Sequence, residues 1–92
     1  MRQESAETLA LQVLGWLLGQ DERLGQFLAA SGAAPQDLPQ LAGDAVFLGA
    51  VLDFLLTEDG MVLDFAQSAG IAPEMPLMAR AALPGGAGPH WT

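Results

Sequence analysis

Four carboxylates, Asp53, Glu58, Asp59 and Asp64, fall within twelve residues and are the first place to look for chemistry. Clustered carboxylates suit a hard cation such as Ca²⁺, which takes six to eight oxygen ligands. A Ca²⁺ loop sets oxygens at alternating positions ahead of a glycine, with a glutamate at the twelfth, and "DFLLTEDG" lacks that spacing. A turn separates Asp53 from Glu58 and Asp59; these two acids, with the Thr57 hydroxyl, read as groups serving the positive end of a helix. His90, the single histidine, lies beside Trp91 in a Gly/Pro-rich end, where nothing holds a general base in place. Ser5, Ser31 and Ser68 fall at helix ends and read as caps, since without a held histidine or any lysine no base activates them. "PGGAGP" lacks the Lys-Ser/Thr pair and the preceding strand of a phosphate loop. No enzymatic activity, cofactor or metal is expected.

The charge balance narrows the partners. Eleven acids face three arginines, Arg2, Arg23 and Arg80, with no lysine, for a formal net charge of −8. Nucleic-acid affinity comes from neutralising phosphates with Lys and Arg, which this chain cannot do. An anionic membrane surface repels it for the same reason. There is no cysteine, so disulfides and thiolate chemistry are absent. The apolar run "LALQVLGWLL" is too short to span a bilayer. Glu4 and Glu7 stand where a signal peptide carries positive charge, so the chain is expected in the cytoplasm.

The periodicity predicts helices throughout. Glu4, Thr8, Gln12, Gly15 and Gly19 trace one stripe of a helix over about 5–19, with apolar residues around the rest of the cylinder. A second helix is predicted over 21–31, opened by Asp21 as N-cap and stopped by Gly32 and Pro35. A short turn of helix follows at 36–42. A third helix over 45–56 has Asp44 as N-cap and a weak face at Ala45, Gly49 and Asp53. A fourth runs over 58–69, opened by Thr57 or Asp59 and closed by Gly70 and Pro73. A last short helix is predicted over 75–83. Residues 84–92 carry no periodicity and read as a disordered tail. No alternating run suggests a strand.

The stretches "VLGWLLGQDERLGQFLAASGAAP" (13–35) and "VLDFLLTEDGMVLDFAQSAGIAP" (51–73) align at an offset of 38. Nine of 23 positions are identical, and they include Asp21/Asp59, Phe27/Phe65, Gly32/Gly70 and Pro35/Pro73. Each match has a mechanical role: the interhelix acid, the buried aromatic, the left-handed exit and the stop. The expected fold is therefore all-α, a small bundle of about four main helices and one or two short ones. It forms one domain over 1–83, built as two αα-hairpins, with 5–36 and 44–74 as candidate repeat units. Devices shared by any two helical hairpins account for the same matches as well as a true structural repeat does. Trp16 is expected in the core between the hairpins.

With these residues in view, the chain resembles a small alphaproteobacterial family of unknown function. "ETLALQVLGWLL", "FLGAVLDFLLTED" and "ARAALPGG" carry the resemblance, which covers roughly residues 4–86. It implies a short, soluble bacterial protein with no established activity and supplies no functional residues.

What remains is apolar surface. About half of the residues are hydrophobic, 51%, and only 15% are charged, more apolar side chain than so small a body hides. Two of the long helices are apolar around most of their circumference, with short helices to cover them. The sequence therefore points to a protein-interaction module, an adaptor or regulator, that binds a protein partner or a second copy of itself. Met75, Leu77, Met78 and Leu83, in the irregular apolar segment "IAPEMPLMARAAL", are the candidate partner surface. The alternative is a binder of small apolar ligands, with a pocket between the two hairpins.

Overall fold

The computed structural model describes residues 1–85. Helix α1, Gln3–Leu18, buries Ala6, Leu9, Ala10, Val13, Leu14 and Leu17, a stripe at helical spacing. Its polar stripe, Glu4, Thr8, Gln12 and Gly15, faces solvent as expected. Helix α2, Asp21–Ser31, follows a tight turn at Gly19 and Gln20. A 3-10 turn, Pro35–Asp37, leads into the single helical turn α3, Leu38–Leu41. Helix α4, Ala45–Leu55, opens where Asp44 accepts a hydrogen bond from the Val46 N–H at 2.9 Å, the N-cap expected there. Helix α5 spans Asp59–Ala69 and α6 spans Met75–Ala81. Among the described residues there is no strand, so the fold is a small all-α bundle.

Helix α1 is the hub. It packs on α4, α6, α2 and α5, and α4 packs in turn on α6 and α2. The core gathers Val13, Leu17, Phe27, Leu48, Val51, Leu52, Leu55, Met61 and Phe65 from four helices. The radius of gyration, 12.3 Å, matches the roughly 12 Å of a compact chain of this length. Among the described residues no single helix is long and apolar enough to cross a membrane.

Two expected caps are corrected. Asp21 and Asp59 are the first residues of α2 and α5, and neither helix has a side-chain cap bond; Gln20 and Glu58 occupy the cap positions. The acids sit one residue inside, where they favour the positive end of the helix by charge alone. Thr57 caps nothing ahead of it and instead donates its hydroxyl back to the Phe54 carbonyl at 2.6 Å.

An offset of 38 carries α2, 21–31, onto α5, 59–69, residue for residue. Both helices end on a left-handed glycine, Gly32 at φ 77° and Gly70 at φ 71°. Both glycine N–H groups close on the carbonyl four residues back, of Leu28 and Ala66. The aromatic side chains pair across the two units. Trp16 meets Phe65 edge-on at 5.7 Å, and Phe54, its counterpart at +38, meets Phe27 edge-on at 5.4 Å. Exchanging the units exchanges these two contacts. Trp16 thus packs between the hairpins but at the edge of the core rather than within it, half-buried, with the Arg23 guanidinium 5.3 Å above its ring.

At the carboxyl end, the Pro84 carbonyl accepts a hydrogen bond from Arg80 Nη1 at 3.1 Å. The rest of the expected tail, 86–92, with His90 and Trp91, lies outside the described residues.

Candidate interaction surface

Helix α6 decides where the candidate surface lies. Pro76 falls in its first turn, where no N–H is needed. Pro76 and Ala79 turn inward, and Leu83, two residues past the end of α6, continues their spacing inward; Ala79 is fully buried and Leu83 is 3% exposed. Leu77 and Met78 turn outward, 63% and 49% exposed. Met75 is half-buried against the core. The candidate surface is corrected accordingly. Leu83 belongs to the core, because it continues the stripe of Pro76 and Ala79, and Leu77 and Met78 are the outward pair.

Arg80 fixes α6 in place. Its Nε and Nη2 reach Asp53 Oδ1 and Oδ2 at 2.6 and 3.2 Å, a two-pronged pair from α6 to α4. The guanidinium lies over Gly49, where an added Cβ would stand 3.0 Å from Nη1. Gly49 and Asp53, on the weak face of α4, are thus the seat of this arginine. The sequence showed the small and acidic stripe without showing its occupant.

Beside the outward pair runs a groove of about 420 Å³. Leu56 at the end of α4, Asp59, Val62 and Leu63 from α5, and Pro73, Glu74 and Leu77 at the start of α6 line it. The groove exists because α6 packs mainly on α1 and α4 rather than on α5. A second groove, about 310 Å³, lies between α1 and the α3 segment, lined by Leu14, Leu18, Pro35, Leu38, Pro39 and Ala42. The offset of 38 carries Leu18, Pro35 and Pro39 onto Leu56, Pro73 and Leu77, so the two grooves share three corresponding positions and differ in the rest of their lining.

The recess between the hairpins, lined by Phe27, Ala30, Ala50 and Phe54 among others, holds about 220 Å³. That is below the ~300–1,000 Å³ of ordinary ligand pockets. An open polar recess is lined by Trp16, Gln20, Gln67 and Ser68 together with Arg23 and Asp64, which pair at 3.0 Å. Of the four clustered acids, Asp53 and Asp64 are thus taken up by arginines, and Glu58 and Asp59 stand at the start of α5. Among the described residues no three acidic or histidine side chains converge as metal ligands. Ser31 accepts the Ala33 N–H at 3.2 Å beyond the end of α2, while Ser5 lies in the first turn of α1.

These features define a small all-α bundle with an apolar surface beside a groove and no convergent reactive groups among its described residues. Residues 3–86 match the model of a family described as a protein of unknown function (DUF3572), and the chain belongs to that family. No curated protein and no solved structure matches the chain.

Proposed function

We propose that the chain is a small acidic protein-interaction module, an adaptor or regulatory subunit, acting in the cytoplasm without catalysis of its own. The observation that carries this reading is the adjacent outward pair Leu77 and Met78, fixed on a helix whose neighbouring Pro76 and Ala79 are buried. Fully burying a Leu or Met side chain contributes roughly 1.5–3 kcal/mol, and folding leaves that gain unused here. Leu63 is similarly exposed on the far side of the groove, so the apolar surface continues from α6 onto α5. Apolar patches rimmed by polar groups commonly mark interaction sites. Two of the three arginines are already held by Asp64 and Asp53, which argues against a nucleic-acid partner.

Leu77→Glu combined with Met78→Glu tests the reading. The double variant is expected to keep its helical circular dichroism and to unfold within about 1 kcal/mol of wild type, as surface substitutions do. In sedimentation velocity and affinity capture it should lose the complex that the wild-type chain forms. A wild-type chain that forms no complex, or a folded double variant that retains it, overturns the reading. Unfolding of the double variant does so too, because it would make the pair core.

A further inference from the structure

We propose that the groove between α5 and α6 receives an amphipathic helix of a partner protein, its apolar face in the groove and Lys or Arg on its flanks. This inference rests on the interaction-module reading and adds the chemistry of the partner. The floor and walls are apolar: Leu56, Val62, Leu63, Pro73 and Leu77. Asp59 and Glu74 stand on its lining, and neither enters an ion pair among the described residues. Glu74 occupies the cap position of α6 yet makes no cap bond, so its carboxylate is left without a local hydrogen bond among the described residues.

Charge complementarity selects the occupant. The chain has no lysine, and Arg23 and Arg80 are bound to Asp64 and Asp53. A second copy would bring its own net −8 against these acids and could offer only Arg2. Like charges set face to face disfavour that pairing, whereas a basic flank relieves it. A helix suits the site because the groove runs between two helices and, among the described residues, no strand offers an edge for an extended peptide. The related groove between α1 and α3 supplies the contrast within the molecule. It is lined wholly by apolar residues, with no charge at its edge.

The test uses the intact chain and three labelled peptides of about eighteen residues in fluorescence anisotropy. One carries leucines at helical spacing with lysine flanks, one has glutamate in place of lysine, and one scrambles the lysine peptide so that no apolar face forms. The lysine helix is expected to bind at least about tenfold more tightly than either control, and to weaken with added salt. Leu63→Ser with Leu77→Ser should abolish binding, and Asp59→Asn with Glu74→Gln should remove the preference for lysine over glutamate. Leu18→Ser, in the other groove, should leave binding unchanged. Equal binding of the three peptides overturns the proposal, as does binding indifferent to Leu63 and Leu77 or self-association through those residues in place of peptide binding. If the peptides fail while Leu77→Glu with Met78→Glu still dissolves a complex with another protein, the partner chemistry is wrong and the module reading survives.

Discussion

Replacing Phe27 or Phe65 by alanine is expected to cost about 3–5 kcal/mol each, within reach of the whole stability of a small domain. Both rings are 1% exposed, and they occupy equivalent positions of the two units. They are not equal in company. Among the described residues, Phe27 meets Phe47 and Phe54 edge-on at 5.7 and 5.4 Å, while Phe65 meets Trp16. An aromatic pair adds roughly 0.5–1.5 kcal/mol beyond burial, so Phe27→Ala should be the more damaging by about that amount. Urea unfolding checks both the size and the order. A neutral change at either position contradicts the packing described above, and Phe→Leu should recover much of the loss by refilling the volume.

Arg80→Ala is expected to cost about 2 kcal/mol, the second largest effect. Its side chain is 15% exposed, but that of Asp53 is 58% exposed, so solvent screens the pair and the ion-pair share is below about 1 kcal/mol. The remainder comes from the bond to the Pro84 carbonyl and the cover over Gly49. Arg80→Lys should fall between, because an ammonium cannot make the two-pronged contact. Gly49→Ala gives the sharper result, a change of sign. With Arg80 present, the new Cβ crowds the guanidinium and stability should fall. With Arg80→Ala, the same substitution fills open space in a helix and should stabilise by about 0.5–1 kcal/mol. A double-mutant cycle by urea denaturation measures the coupling. Equal effects of Gly49→Ala in both backgrounds contradict the seating of Arg80.

The local grammar of this fold was legible in its residues. The bounds of α2, the N-cap at Asp44 and the left-handed stops at Gly32 and Gly70 follow from side-chain spacing and from glycine's conformational freedom. What needed three dimensions was long-range. Arg80 and Asp53 are 27 residues apart, and no periodicity links them. The stripe Ala45, Gly49, Asp53 was a visible signal, small residues leading to a lone acid, but it does not say which of three arginines fills it. Leu83 could have been placed from sequence, because it continues the spacing of Pro76 and Ala79; composition alone had made it look like surface. The groove was not legible, since it arises from α6 settling on α1 and α4 instead of on α5.

The central claim is that the outward face of α6 touches a partner in the cell. Site-specific photo-crosslinking tests it most directly, with a photoreactive residue placed singly at Leu77, at Met78 and, as comparison, at the exposed Gln26 on α2. The account predicts one discrete adduct of the same size from positions 77 and 78 and none from 26. No adduct from 77 and 78, or the same adducts from all three positions, would contradict it.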